Sequence, residues 1–161
     1  MLQGLGGALS KISDAPHIDS IIAIDPGKVA GIAVVSAAGG FVSFELPAKK
    51  ALTFVYEFMG VLGETELVSE RYTVTQRTMT PQTDALEMNG ALRFIAQLRG
   101  EQFVLQGRSE VKKAISDSVL RDIDWFVRTK DGHANDAARQ LGFRVLQSYT
   151  VEWLRFSQRV Q

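Results

Sequence analysis

The chain has 161 residues, of which 45% are hydrophobic and 22% are charged, a composition that suits one globular domain with a substantial core. It contains no cysteine, which excludes disulfides, thiolate zinc sites and thiol nucleophiles and fits a reducing cytoplasm. No apolar run approaches the roughly 18 residues of a membrane helix, and the N-terminus lacks a signal-peptide pattern. We therefore expect a cytoplasmic protein without a membrane anchor, with a flexible arm over residues 1–20 and one domain over residues 21–161.

The first predicted elements are three short strands joined by tight connections. Ile21–Ile24 is an apolar run that ends at Asp25, and it is followed by strands over Gly31–Ser36 and Phe41–Leu46. Short connections make the three strands antiparallel neighbours in a meander. Asp25 either caps a turn, for which Asp-Pro-Gly is suitable chemistry, or is a buried functional carboxylate, and this stretch alone leaves both interpretations open.

Helices and strands alternate in the next part of the chain. A helix is predicted over Ala51–Leu62, a fourth strand over Glu66–Glu70, and a second helix from Thr80 to Gly100. A fifth strand follows over Gln102–Leu105. Because a helix between two strands implies a crossover and parallel pairing, we expect an α/β fold. Its sheet would be mixed and five-stranded, with a three-strand antiparallel meander plus parallel strands, and helices would flank it.

The second helix carries one row of side chains formed by Leu86, Gly90, Phe94 and Leu98. A mid-helix glycine costs about 1 kcal/mol relative to alanine, so we expect close packing at Gly90. Two more helices are predicted, and they cover Glu110–Leu120, with Ser109 as cap, and His133–Gln147.

Four side chains at the ends of these elements form the candidate site. Asp25 and Glu70 each end an apolar strand, and His133 and Asp136 lie three residues apart and hence on one helix face. The carboxyl ends of strands are where open α/β sheets bind ligands. Carboxylates and an imidazole without thiols suit Mg²⁺ or Mn²⁺, and two such ions can promote phosphodiester hydrolysis. Each signal alone is weak, since His133 could be structural and Glu70 could pair with Arg71.

The charge distribution favours a polyanionic substrate even though the net charge is zero. Residues 1–70 hold four basic and eight acidic residues, a balance of −4, whereas residues 71–161 hold fourteen basic and ten acidic residues, a balance of +4. An acidic centre with a basic surround is what a metal-dependent enzyme that acts on nucleic acid needs. Chance asymmetry between the two halves is the alternative.

Three motifs carry a resemblance to a known family. IDPG at Ile24–Gly27, Glu70 after an apolar strand, and HANDA at His133–Ala137 resemble the RuvC-type Holliday junction resolvases. The resemblance covers about residues 21–147. It implies a ribonuclease H-like nuclease domain that cuts four-way DNA junctions with two Mg²⁺ ions, for which Mn²⁺ can substitute. It also implies that the catalytic and metal-binding residues are Asp25, Glu70, His133 and Asp136, since the family has Asp or His at the third of these positions.

The resemblance also predicts where DNA is bound. Gly107–Ile115 is similar to the loop and helix that supply a DNA-contacting lysine in the family, and Tyr72 lies where the family often has an aromatic wedge. The predicted DNA-binding residues are Arg71, Tyr72, Arg77, Arg108, Lys112 and Lys113. The family works as a two-fold dimer, and we expect a helical interface near Leu86–Phe94. The short chain and loosely matched motifs would suit a divergent, phage-encoded member that acts in the cytoplasm of a bacterial host.

Three alternative functions remain open at the level of sequence. The same fold could serve a flap, fork or RNA nuclease, because fold does not determine function. A sugar-kinase or actin-like ATPase fragment would also begin with an Asp-x-Gly hairpin, but two such domains do not fit in 161 residues. A non-catalytic nucleic-acid-binding module is the third alternative, and the intact acidic set argues against it.

Overall fold

Five strands form one mixed sheet: β1 (Ser20–Asp25), β2 (Val29–Ser36), β3 (Phe41–Pro47), β4 (Thr65–Arg71) and β5 (Gln102–Gly107). The structure is a computed structural model that describes residues 18–36, 40–74 and 82–148. The strand order is β3-β2-β1-β4-β5. β1 and β3 pair antiparallel with β2, and β4 pairs parallel with both β1 and β5. The predicted meander followed by parallel crossover strands is therefore confirmed.

Helices cover both faces of the sheet: α1 (Ala48–Met59), α2 (Thr83–Arg99), α3 (Arg108–Ala114), α4 (Asp117–Asp122) and α5 (His133–Ser148). The layer on one face is built from α1 and α2, and the layer on the other from α5 with residues of the α3–α4 segment. Two buried clusters, one on each side of the sheet, form the core. None of the described helices is long and apolar enough to cross a membrane.

The alternation of side chains along the strands aims the strand-end carboxylates at α5. In β1, Ile24 packs in the α1–α2 layer and Ala23 packs in the α5 layer. Successive side chains of a strand point to opposite faces, so Asp25 falls on the α5 side. In β4, Val68 packs in the α5 layer, and Glu70, two residues further on, lies on that same side.

Several predicted helices have different bounds in the structure, and the one predicted from Thr80 begins at Thr83. The first covers Ala48–Met59 rather than Ala51–Leu62, because Pro47 ends β3 and serves directly as its N-cap. The single helix predicted over Glu110–Leu120 was wrong, since α3 ends at Ala114 and α4 begins at Asp117. Ile115 and Ser116 are extended, and the Ser116 hydroxyl accepts a hydrogen bond from the Val119 N–H at 3.4 Å. The chain therefore turns at Ile115 and Ser116, where the spacing of apolar residues had predicted one continuous helix.

The close packing predicted at Gly90 is not found within the described part of the chain. Apart from the backbone of its own helix, no described atom lies within 4 Å of the position that a Cβ would occupy there. Leu86, Phe94 and Leu98, which share its row, are exposed. The buried side of α2 is a different one, and it includes Met88 and Leu92.

Candidate functional site

Asp25 and Glu70 lie at one edge of the sheet, at the ends of the adjacent parallel strands β1 and β4. Each residue is only 8% exposed. The backbone carbonyl of Glu70 accepts a hydrogen bond from the Asn89 side chain at 2.9 Å, and Asn89 in turn accepts one from the Ser69 hydroxyl at 2.6 Å. This network fixes the end of β4 against α2.

The N-terminus of α5 brings His133 to the same edge. Its Nδ1 lies 2.7 Å from Asp25 Oδ2, although the two residues are 108 positions apart in the chain. Gly31 of β2 allows this approach, because a Cβ at that position would lie 1.8 Å from the carbonyl oxygen of His133. Glu45 of β3 accepts a hydrogen bond from the Ala134 N–H at 3.2 Å and so caps the helix from the sheet.

Asp136, one turn further along α5, is surrounded by basic side chains. The partly buried guanidinium of Arg139 contacts its Oδ1. Lys112 Nζ lies 3.5 Å from both carboxylate oxygens, and Arg108 Nη2 lies 3.8 Å from Oδ2. Arg108 also approaches Glu70, with 3.9 Å between its Nε and Oε1. Basic residues of α3 therefore lie directly over the acidic edge.

The strand ends, the start of α5 and Arg108 line a cleft of about 490 Å³. Its acidic wall contains the four predicted catalytic residues, Asp25, Glu70, His133 and Asp136. The remaining lining comes from the β1–β2 turn, from Tyr72 after β4, from the start of α2 and from Arg108. The structure thus brings together the residues that the sequence assigned to one site.

The cleft holds carboxylates in an environment that disfavours their charge. Burial raises the pKa of Asp25 above its ordinary value, and the hydrogen bond from His133 only partly offsets this effect. Burial and the neighbouring charge of Asp25 raise the pKa of Glu70 in the same direction. For Glu45, hydrogen bonds from Thr129 and from the backbone of Ala134 and His133 outweigh the opposing effect of burial and lower the pKa. Burial therefore disfavours the charged forms of Asp25 and Glu70, and a bound cation would favour them.

The donor set of this edge suits a hard divalent cation. Three carboxylates and one imidazole are available, and the chain has no thiol that would favour a softer metal. In the described parts of the chain no three such side chains already converge on a single metal position. Asp136 instead contacts Arg139, Lys112 and Arg108. The chemistry of the residues fits a metal ion. To bind the same ion as the other ligands, Asp136 would have to share its carboxylate between that ion and these basic side chains.

The predicted DNA-binding residues separate into three groups. Tyr72 and Arg108 line the cleft, and Lys112 contacts Asp136 at its border. Arg71 and Lys113 are exposed beside the site, where Arg71 donates to the Leu105 carbonyl at 3.4 Å. Arg77 lies outside the described residues, as do residues 1–17 of the predicted N-terminal arm. The tyrosine hydroxyl of Tyr72 accepts a hydrogen bond from the Gln82 N–H at 2.8 Å, which holds the ring at the cleft.

Sequence reasoning missed several residues that surround the carboxylates. Arg139 and Gln140 of α5 contact Asp136 and Glu70, respectively, and Asn89 holds the end of β4. Glu45 was predicted only as part of the third strand. Arg139 had a usable signal, because it lies three residues after Asp136 on one helix face. The contacts of Asn89 and Gln140 join distant parts of the chain and have no local signature.

The strand order, together with α5 packed across the sheet at the acidic edge, defines a ribonuclease H-like fold of the RuvC kind. A structure of T. thermophilus RuvC in complex with a Holliday junction substrate matches with a TM-score of 0.58 and 17% identity, over 75% of this chain and 89% of that one. A second structure of Thermus thermophilus RuvC matches with a TM-score of 0.56 and 17% identity, over 80% of this chain and 97% of that one. No protein-family model and no curated protein matches the sequence. The fold expected from the resemblance is therefore confirmed.

Proposed function

We propose that this protein is a metal-dependent endonuclease that cuts branched DNA, with four-way junctions as its preferred substrate. The observation that carries the proposal is the meeting of Asp25, Glu70, Asp136 and His133, from three separate elements, at one edge of a RuvC-like sheet. A solved structure with this fold is a complex with a Holliday junction substrate, which supports the substrate class.

The four residues would hold two Mg²⁺ ions, with Mn²⁺ as a substitute. When bound, such ions supply an activated water and positive charge for the leaving oxygen of the phosphodiester. The chain itself prepares the site, since burial disfavours the charged forms of Asp25 and Glu70 and a cation bound there would favour them. The short contact between His133 and Asp25 holds both side chains in one orientation.

The basic side chains would bind the phosphates that flank the scissile bond. Lys112 is favoured over Lys113 for this role. The described contacts include one between Lys112 and the acidic cluster and none between Lys113 and that cluster. Arg108 reaches both Glu70 and Asp136 from a largely exposed position. Beyond Asp136 an open groove of about 640 Å³ continues the cleft, and its lining includes Lys112, Arg128 and Lys130. A nucleic-acid strand that leaves the cleft would meet these charges.

We expect junction affinity to fall steeply with salt, although the net charge of the chain is zero. Each phosphate contact releases counterions and adds about −0.9 to the slope of log K against log salt. Lys112→Ala should reduce that slope by about 1, as measured by fluorescence anisotropy across a salt series. Lys50→Ala is the matched control, because Lys50 is an exposed residue of α1 on the other face of the sheet. This substitution should leave the slope unchanged. A flat salt dependence in the wild type would argue against phosphate binding.

His133→Ala should reduce cleavage by about 100-fold with little loss of folding stability. The side chain is partly exposed and contacts Asp25, so its removal changes the site more than the core. His133→Asp should restore much of the activity, because the related family uses either residue at this position. Steady-state cleavage and thermal unfolding of both variants test the expectation. Normal cleavage by the alanine variant would make the imidazole a structural residue.

We propose that two copies of the chain pair through α2. Leu86, Gly90, Phe94 and Leu98 follow one another at four-residue intervals; the three apolar side chains are exposed, and Gly90 leaves room for close helix approach. Two-fold pairing would present two cleavage sites to the two strands of a junction. Phe94→Glu should yield a monomer in sedimentation velocity, whereas Val61→Glu, at another exposed apolar residue, should not. Unchanged assembly of the Phe94 variant would exclude this interface.

One comparison of substrates tests the function directly. Four-way junction, flap, fork, linear duplex and RNA substrates are each incubated with Mg²⁺, Mn²⁺, Ca²⁺ or a chelator, and the products are resolved on a denaturing gel. Paired nicks in the junction with Mg²⁺ or Mn²⁺ alone would support the proposal. Preferred cleavage of flaps, forks or RNA would identify a nuclease of different specificity, and binding without cleavage would identify a binding module.

A further inference from the structure

Arg139 is a partly buried cation that lies between two carboxylates. Its side chain is 14% exposed, with Nη1 against Asp136 Oδ1 and Nη2 against Asp117 Oδ1. Asp136 belongs to α5 and Asp117 to the first turn of α4. A guanidinium presents its donors in a rigid planar fork, so contacts with two carboxylates define the position of both.

The two oxygens of Asp136 have different surroundings. Oδ1 contacts the partly buried Arg139, Oδ2 is approached by Arg108 at 3.8 Å, and Lys112 lies 3.5 Å from both oxygens. The side chains of Arg108 and Lys112 are 59% and 43% exposed. Exposed long side chains can move at little cost, whereas a partly buried guanidinium held at two points is more constrained. The carboxylate therefore has one fixed oxygen and one that is available to a ligand.

The charge of Arg139 is balanced by Asp117. Because the two form an ion pair, Asp136 keeps most of its attraction for another cation even though it contacts a guanidinium. An uncompensated arginine at this position would instead repel a metal ion. Arg139 therefore constrains the position of Asp136 and reduces its attraction for another cation only slightly.

We propose that Arg139, anchored by Asp117, is a positioning residue that orients Asp136 for cation binding. The inference rests on the proposed metal-dependent function and adds two residues that no motif pointed to. Gln140, the next residue of α5, contacts Glu70 in the same manner, with 3.4 Å between its Nε2 and Oε2. One helix therefore contacts each of the three carboxylates, since His133 contacts Asp25.

The opposite role for Arg139 would be competition, with the guanidinium occupying the place of a cation at Asp136. The two roles predict opposite effects of removing the charge. Removal of a positioning residue leaves the metal ligand less firmly oriented, which weakens metal binding by about 10-fold to 100-fold. A competitor, when removed, leaves the carboxylate freer and strengthens metal binding.

Binding of Mn²⁺ to the full chain without DNA distinguishes them, measured from the decrease of the free Mn²⁺ electron paramagnetic resonance signal. We expect Arg139→Gln to weaken binding about 10-fold or more, and Arg139→Lys to weaken it less, because lysine keeps the charge but loses the fork. Asp117→Asn should also weaken binding, since it leaves Arg139 uncompensated beside Asp136. Arg121→Gln is the matched control, because Arg121 lies 4.0 Å from Asp117 and has no described contact with Asp136.

Circular dichroism and thermal unfolding establish that each variant is folded. If Arg139→Gln does not fold, Arg139→Lys and Asp117→Asn carry the test. Equal or tighter Mn²⁺ binding by the folded Arg139 variants, or wild-type affinity in Asp117→Asn, would overturn the positioning role while leaving the proposed nuclease intact. Absence of Mn²⁺ binding in the wild type would instead overturn the metal site itself, and this inference with it.

Discussion

Asp25→Asn is expected to reduce junction cleavage by at least about 100-fold while DNA binding persists. Asp25 ends the central strand β1, is almost fully buried, and contacts His133 at 2.7 Å. Asparagine has nearly the same shape but lacks the charge that a divalent cation requires of its ligand. Cleavage rates with Mg²⁺ and junction affinity in Ca²⁺ measure the two effects separately.

The same substitution should stabilise the metal-free protein at neutral pH. Because burial raises the pKa of Asp25 in the folded state, the stability associated with the protonated group is present below the unfolded pKa and is lost as pH rises through the folded pKa. At neutral pH the wild type therefore carries the cost of a buried charge that asparagine lacks. The Tm difference between the variant and the wild type should widen from acidic to neutral pH, as followed by thermal unfolding in chelator.

Asp84→Asn is the matched control for Asp25→Asn. Asp84 lines the same cleft at the first turn of α2, so it tests the loss of one negative charge at a position without a proposed role as metal ligand. We expect it to keep most of the activity. If Asp25→Asn retained more than about a tenth of wild-type cleavage, the assignment of Asp25 to the catalytic centre would be wrong.

Gly31→Ala is expected to destabilise the fold by about 3 kcal/mol or more and to displace the candidate site. The new Cβ would lie 1.8 Å from the carbonyl oxygen of His133 and 2.9 Å from the Ala134 nitrogen. These are backbone atoms, so no rotamer change relieves the overlap. The start of α5 would have to move away from β2, and His133 and Asp136 would move with it. A fall of roughly 6–12 °C in Tm, with loss of cleavage at temperatures where the variant is still folded, is the expected result.

Gly142→Ala provides the comparison within α5 itself. A Cβ at Gly142 would meet only the Ile115 side chain, at 3.6 Å, which is an ordinary contact distance. Because alanine favours helix by about 1 kcal/mol over glycine, this variant should be as stable as the wild type or more so. Wild-type Tm and cleavage in the Gly31 variant would contradict the close approach of β2 and α5.

The local sequence by itself determined the strands and the acidic positions at their ends. Apolar runs bounded by turn residues predicted all five strands. These signals, the length of the apolar run and the alternation of apolar and polar residues, can be read from a short stretch of sequence. Asp25 and Glu70 were recognisable because a carboxylate after a buried strand is unusual, and His133 and Asp136 because of their helical spacing. Short connections were sufficient to predict the meander and the crossovers.

The tertiary structure alone decided which side chains meet. The row containing Gly90 has the spacing of a helix face, but only the position of α2 against the sheet leaves that face exposed. The contacts of Arg139 with Asp117 and of Gln140 with Glu70 join residues 22 and 70 positions apart. Such contacts depend on the relative placement of whole elements, which periodicity does not encode. The sequence therefore specified the candidate carboxylates, and the packing of α5 on the sheet specified the residues that contact them.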